Sequence, residues 1–504
     1  MTELSANETL IDIDNALRAF ALSFPAKLAL ADSKNKLTWH QLDQRLNQTA
    51  NALIGQGIQA NERVAILGRN SVEYATLFLG ALRAGICIVP LSTLASSDTL
   101  ASMINDSGAK LLFVSKDYWG LIEPVANKFS NVLPGGFIHL DGHGLNSNGL
   151  DSNGLDIDCN NMQGFEAFVE KSSPRAVNLP ISLDWGFNLI YSSGTTGTPK
   201  GILQSRRYRA IERRALAGLG LDDTSRTLLS TPLYSNTTLF LFLATLGSGG
   251  TVFLMARSDT RRFLDISEQE KITHTVLVPV QYQRLLADPA LDTTDLSSYQ
   301  FKCSTSAPLH AHVKTEILAR WPQGGLWEFY GMTEGGINCT LAAHEFPDKL
   351  DTVGQPAEDC DLRILDDEGN ELSQGEVGEI VGHCDRMMEG YHNRPEATEE
   401  ASWYDETGKR FQKSGDIGWL DNDGFLHLLD RKKDMIISGG FNVYAIDLEK
   451  VLLSHPDVTD AAVIAAPSEQ WGETPLAFVV LASGSMIDAE VLRQWANGQL
   501  GKAQ

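Results

Sequence analysis

The sequence predicts an α/β fold, with strands packed between helices, spread over two or more domains. Helix-period and strand-like apolar patterns alternate through most of the chain, and short hairpin patterns replace them from about residue 360. A length of 504 residues is too great for one compact core.

The elements follow in order. "LTWHQLDQRLNQTANALIGQG" (37–57) places Leu42, Leu46, Ala50 and Leu53 at helical spacing and ends in glycine, which predicts an amphipathic helix. "RVAILG" (63–68) reads as a short buried strand, "VEYATLFLGALRAG" (72–85) as a helix and "ICIVPLS" (86–92) as a strand. Strand patterns recur at "TVFLM" (251–255) and "HTVLVPV" (274–280). The repetitive "GLNSNGLDSNGLD" (144–156) reads as an exposed loop insertion. Further on, "LRILDDEGNELSQGEVGEIVG" (362–382) and "GWLDNDGFLHLLDRKKDMI" (418–436) predict hairpins with acidic, glycine-containing turns. "DNDG" lacks the later ligands of a calcium loop and is read as a turn.

Composition narrows the function. A content of 43% hydrophobic and 21% charged residues is that of a soluble globular protein. A net charge of -23 argues against nucleic acid as a partner, since phosphate backbones are bound by clustered Lys and Arg. Cys87, Cys159, Cys303, Cys339, Cys360 and Cys384 are scattered without a C-x-x-C pair, so free thiols are expected rather than a zinc site or a disulfide framework. The N-terminus has no signal-peptide pattern, and "LFLFLATLG" (239–247) is too short to cross a bilayer. No integral membrane segment and a cytoplasmic location are expected.

"YSSGTTGTPKG" (191–201) nearly spells a phosphate-binding loop of the G-x-x-x-x-G-K-S/T kind, but Pro199 and Gly201 flank its lysine where Gly and a hydroxyl residue belong. Its chemistry still suits a polyanion. Ser192, Ser193, Thr195, Thr196 and Thr198 offer hydroxyl donors, Gly194 and Gly197 permit close backbone approach, and Lys200 adds a point charge. "FYGMTEGG" (329–336), "MEGYHNRPEAT" (388–398), "SGDIGWLDNDG" (414–424) and "DRKKDMIISGGFNVYAIDLE" (430–449) follow it along the chain.

Together these segments resemble the adenylate-forming superfamily of acyl-CoA synthetases, amino-acid adenylation domains and luciferases, and most of all its AMP-forming acyl-CoA synthetases. The resemblance runs from about residue 20 to the end. It implies a loop that clasps the β- and γ-phosphates of ATP while a carboxylate attacks the α-phosphate, so no kinase-like pattern is needed. It implies catalytic roles for Lys200, Thr333 and Glu334, with Glu334 on Mg²⁺ and Thr333 on a phosphate oxygen. Tyr330 would lie on adenine, Asp416 would accept from the ribose hydroxyls, and Arg431 would contact ribose or phosphate. The implied architecture is a large N-terminal adenylation domain of mixed sheets and helices (1–432) and a small, mobile α+β C-terminal domain (433–504), with the hinge at Lys433. Ser438, Gly439 and Gly440 would border the CoA tunnel.

Two departures qualify the resemblance. In "PLYSNTTL" (232–239), Tyr234 precedes Ser235, where many acyl-CoA synthetases place a histidine after the aromatic residue. The segment also lacks the Asp that pairs a substrate ammonium, which disfavours an amino-acid substrate. Tyr234, Ser235, Asn236, Cys303, Ser304 and Thr305 are the candidates for an acyl pocket suited to a fatty or aryl acid. The second departure is at "RQWANGQLGKAQ", which resembles the segment preceding the family's Gly-Lys motif; Lys502 has the wrong surroundings to be that lysine, and an incomplete C-terminal domain is expected. The expected activity is an ATP-dependent, AMP-forming acid:CoA ligase using ATP, Mg²⁺ and CoA. The alternatives are a free-standing adenylation protein that loads a carrier protein, or a non-catalytic adenylate-binding relative.

Overall fold

A computed structural model describes residues 10–141, 162–192, 199–438, 441–468 and 472–499. The repetitive segment at 144–156, Cys159, Ser193, Gly194, Thr195, Thr196, Gly197, Thr198, Gly439, Gly440 and Lys502 lie outside the described residues. The chain divides into two units, Met1–Leu350 with Cys384–Glu400, and Asp351–His383 with Ala401–Gln504. The division expected at 432/433 falls inside the second unit.

Two sheets organise the first unit. One runs Gln163–Gly164, Phe137–His139, Leu111–Val114, Arg63–Leu67, Cys87–Pro90, Gly186–Ser192, Lys200–Ser205, parallel until the antiparallel last strand. The other runs Asn338–Ala342, Trp327–Gly331, Phe301–Ser304, His274–Leu277, Arg226–Leu229, Thr251–Leu254, Leu28–Ala31, Lys36–Thr38, with parallel pairing inside and antiparallel pairing at these two ends. Strands such as Cys87–Pro90 and Thr251–Leu254 are buried along their whole length, as parallel strands covered on both faces must be.

The expected helices form. Trp39–Gly55 starts with a capping box between Thr38 and Gln41, and Val72–Arg83 is capped by Ser71, whose hydroxyl accepts from the Tyr74 amide. One apolar core runs through Leu46, Phe78, Phe187, Phe242, Val252 and Phe301 and so joins both sheets. The run 274–280 is not one strand. It stops at Leu277, and Pro279 opens the helix Pro279–Ala287. Proline's fixed φ suits a first helical turn and its missing N–H is no loss there.

In the second unit, the strands Cys360–Leu365, Gly378–Cys384, Arg410–Leu420 and Ser402–Tyr404 lie in that order, and Leu426–Arg431 pairs with Arg410–Leu420. The expected hairpin at 418–436 forms between the antiparallel strands Arg410–Leu420 and Leu426–Arg431, and the two strands expected within 362–382 lie side by side. Asp421 accepts from the amides of Asp423 and Phe425, each at 2.9 Å, and Gly424 takes a φ of 79°, so the acids of "DNDG" build a turn. A second sheet, ordered Phe441–Val443, Ile436–Ser438, Gly472–Leu481, Val458–Ser468, packs with the helices Ala445–Leu453 and Ala489–Asn497 around Ile436, Leu448, Leu452 and Leu492. Among the described residues, no helix is long and apolar enough to cross a membrane.

His274 makes the core pH-sensitive. Its ring is fully buried, with Nδ1 2.7 Å from the Thr273 hydroxyl and Nε2 3.3 Å from the Leu219 carbonyl. Burial lowers its pKa from 6.5 to about 4. The folded state therefore binds fewer protons than the unfolded chain within that window, and stability present above pH 6.5 is lost as the pH falls toward 4. Denaturant titrations should show a loss on the order of 2 kcal/mol from this group across the window. His274→Gln should flatten that part of the profile; an unchanged acid slope would contradict the assignment.

Candidate active site

Lys200 opens the last strand of the first sheet. Gly186–Ser192 and Lys200–Ser205 are antiparallel, with Ser192 opposite Lys200, so the two strands form a hairpin. A phosphate-binding loop of the G-x-x-x-x-G-K-S/T kind instead joins a strand to a helix. The near miss in sequence is thus a difference in topology. The first strand is anchored by Tyr191, whose hydroxyl donates to Asp106 at 2.8 Å.

A second segment is stitched between this hairpin and the turn that carries Thr333 and Glu334. Gly335 has a φ of 75°, and a Cβ placed there would sit 1.9 Å from the Arg386 carbonyl oxygen, so only glycine fits. The Gly336 amide donates to that carbonyl at 3.0 Å, and the Met388 amide donates to the Glu334 carbonyl at 2.7 Å. On the other side, Tyr391 bridges Ile202, and the His392 amide donates to the Gly201 carbonyl at 2.7 Å. These contacts bring two expected site residues around one ring. The Tyr391 hydroxyl donates to Glu334 Oε1 at 2.8 Å, while Lys200 Nζ stands 5.0 Å from the ring centroid, within cation–π range. Burial, the charge of Glu334 and the hydrogen bond to it all raise the Tyr391 pKa, so the phenol keeps its proton and remains a donor. Glu334 itself is buried, and Tyr330 is half-buried on the strand Trp327–Gly331 opposite Cys339.

The acyl-pocket candidates converge from two elements. Tyr234, Ser235 and Asn236 stand at the start of the helix Asn236–Gly247, whose N-cap is Ser235. Cys303, Ser304 and Thr305 lie at the C-terminal end of the strand Phe301–Ser304. The next residues along, Thr237 and Ser306, join the two segments by a hydroxyl–hydroxyl hydrogen bond. Cys303 packs into the core, where burial pushes its thiol pKa well up. Ser304 is also fully buried, and its hydroxyl has no hydrogen-bond partner among the described residues.

A buried polar network ties this pocket segment to the acidic turn. Arg209 donates from Nη2 to Asn236 Oδ1 at 2.8 Å, to Gln204 Oε1 at 2.5 Å and to Asn188 Oδ1 at 3.0 Å, and from Nη1 to Glu212 at 2.6 Å. With its oxygen so occupied, the Gln204 amide turns its nitrogen to the Thr333 carbonyl at 2.7 Å. Gln204 and Arg209 carry no motif signal in the sequence, and Tyr391 is visible there only as one letter of a longer motif.

The remaining site residues belong to the second unit. Asp416 and Arg431 face each other across paired strands and form an ion pair of 2.8 Å. Lys433 is exposed. Its neighbour Lys432 pairs with Glu379 at 3.1 Å and Asp367 at 3.2 Å, and Ser438 ends the strand Ile436–Ser438. Among the described residues, no group of three or more His, Cys, Asp and Glu side chains gathers as a metal cage.

Comparisons with known proteins identify the family and the fold. The family model described as AMP-binding enzyme matches residues 17–392, and the one described as AMP-binding enzyme C-terminal domain matches residues 447–504. The chain is 31% identical to a feruloyl-CoA synthase of an Amycolatopsis species over 488 residues, covering 94% of this chain and 90% of that one. It is 29% identical to the fatty acid–[acyl-carrier-protein] ligase ScoC of Streptomyces coeruleorubidus over 472 residues, covering 91% of this chain and 85% of that one. Its fold is similar to the crystal structure of ATP-bound MatB from Rhodopseudomonas palustris, with a TM-score of 0.84, 27% identity, and coverage of 98% of this chain and 93% of that one.

Arg209→Met should destabilise the protein by about 3–5 kcal/mol, because it strands Glu212 as a buried charge and leaves amide oxygens without donors. Gln204→Met removes the hydrogen bonds to Thr333, Arg209 and Asn188 but keeps the Arg209–Glu212 ion pair, and should cost about 1–3 kcal/mol. Equilibrium denaturation of both variants checks the order, and equal losses would contradict it.

Proposed function

The chain belongs to the AMP-binding enzyme family, and we propose that within it the chain is an ATP-dependent, AMP-forming acid:CoA ligase acting on a fatty or aryl acid. One observation carries the reading: Lys200 and Glu334, distant in sequence, meet around Tyr391. A carboxylate and a triphosphate repel each other, so their reaction needs fixed cations and hydrogen-bond donors aimed at the phosphates. In the first half-reaction a carboxylate oxygen bonds to the α-phosphorus as pyrophosphate leaves. In the second, the thiol of CoA bonds to the acyl carbon as AMP leaves. Lys200 neutralises charge on the phosphates throughout the first.

Glu334 fits the metal's role. Mg²⁺ is commonly held by one or two carboxylates together with substrate phosphates, and the buried Glu334 carboxylate, linked through Tyr391 to the Lys200 ammonium, would supply that pattern. When bound, the metal neutralises charge that develops on the departing pyrophosphate. Asp416 and Arg431 take the ribose and its neighbouring phosphate, with the hinge at Lys433 and the CoA tunnel at Ser438, Gly439 and Gly440. For the acid, Tyr234 offers an aromatic face, while Ser235, Asn236, Ser304 and Thr305 are small and polar. The pocket candidates include no carboxylate to pair an ammonium group, which favours an uncharged acyl group. The similarity to ScoC supports a second reading, in which the acceptor thiol is a carrier protein's phosphopantetheine.

Acid-dependent pyrophosphate release, measured over fatty and aryl acids with either CoA or a phosphopantetheinylated carrier protein, tests both readings. Sustained release with CoA alone is expected. Release sustained only by the carrier would select the second reading, and none with any acid would contradict both. Glu334→Gln should lower kcat about 100-fold or more while leaving the KM for the acid within about twofold. Equal damage to both parameters would contradict its assignment to the phosphate side.

A further inference from the structure

We propose that Tyr391 is a positioning residue for the adenylation step, holding the Glu334 carboxylate with its hydroxyl and seating the Lys200 ammonium on its ring face. The inference deepens the proposed function and rests on it. One side chain thereby sets the spacing between the metal-side carboxylate and the phosphate-side cation.

The ring is not needed to fold the segment that carries it. The backbone is held independently by the Met388 and His392 amides at 2.7 Å and by the Gly336 amide at 3.0 Å. The Tyr391 amide donates to the Thr398 hydroxyl at 2.9 Å, and that hydroxyl in turn donates to the Arg394 carbonyl. Arg394 is fixed by an ion pair to Asp106 at 3.2 Å, the carboxylate that also anchors Tyr191. A phenyl ring could fill the same half-buried space. The hydroxyl adds one thing that packing does not require, a hydrogen bond to a buried carboxylate.

That contact restricts how Glu334 can turn. A donor at Oε1 fixes the plane of the carboxylate, as outer partners of metal-binding carboxylates do, and loss of such partners typically costs about 10- to 100-fold in metal affinity or activity. The ring does a separate job for Lys200. A lysine has four flexible side-chain bonds, and an aromatic face 5.0 Å from the ammonium narrows the positions it takes. Hydroxyl and ring can therefore be separated by experiment.

Tyr391→Phe removes the hydroxyl and keeps the seat; Tyr391→Leu removes both. The Mg²⁺ dependence of acid-stimulated ATP–pyrophosphate exchange is measured for each, together with melting temperature. For Tyr391→Phe, the Mg²⁺ concentration at half-maximal rate should rise about 10-fold. The KM for the acid and the melting temperature should hardly move. For Tyr391→Leu, adding Lys200→Ala should cost less than it does in the wild type, because the lysine has already lost its seat. An unchanged Mg²⁺ dependence in Tyr391→Phe, or full additivity with Lys200→Ala, overturns the proposal. A second readout needs no turnover: the rise in melting temperature caused by ATP, followed as a function of Mg²⁺. If the wild type shows that rise but no exchange, the functional reading fails. The same displaced Mg²⁺ dependence in Tyr391→Phe then still supports the positioning role, and its absence overturns it.

Discussion

The close backbone contact at Gly335 is the constraint on which the site depends. The chain turns there with a positive φ directly against the Arg386 carbonyl, and any side chain would push the two segments apart. Because they touch, Met388 can bond Glu334, and the same segment can run on to bond Gly201 beside the lysine-bearing hairpin. Glu334 and Gly201 are thereby registered against each other through main-chain hydrogen bonds to one segment. Side chains then refine a distance that the backbone has already set.

Behind that seam, polar burial replaces hydrophobic packing. Asn188 and Gln204 are wholly buried, Arg209 almost so, and a lone buried guanidinium would be costly. Its fork is instead distributed over Glu212, Asn188, Gln204 and Asn236, which satisfies the donors and fixes every amide in one orientation. The result is a rigid link from the start of the helix Asn236–Gly247 to the Thr333 carbonyl. The candidate pocket segment and the turn that carries Thr333 and Glu334 are connected through directional bonds, which tolerate less drift than apolar contacts.

Much of the fold was legible because it rests on local rules. The strands Arg63–Leu67 and Cys87–Pro90 and the helices Trp39–Gly55 and Val72–Arg83 follow from apolar runs, helical spacing and caps, and the "DNDG" turn follows from its Asp and Gly. The apolar run at 274–280 misled because its period cannot distinguish a strand from the first turn of a buried helix opened by Pro279. Lys200 was legible as a charge among hydroxyl residues, and Glu334 through the family resemblance of its motif. What joins them was not. Tyr391 and Glu334 lie 57 positions apart, and Gln204 and Thr333 lie 129 apart, so neither contact leaves a periodic trace. The return of Cys384–Glu400 to the first unit is likewise a tertiary event, whereas a sequence reading can draw only a linear cut such as 432/433.

The central claim is that a carboxylate oxygen attacks the α-phosphate, and oxygen labelling tests it most directly. A substrate acid carrying ¹⁸O in its carboxylate is turned over with ATP and CoA, and the masses of AMP, pyrophosphate and any inorganic phosphate are measured. Attack at the α-phosphate, followed by thiol displacement, leaves one ¹⁸O in AMP and none in pyrophosphate. Label appearing in inorganic phosphate, or AMP without label, would place the attack elsewhere and contradict the account.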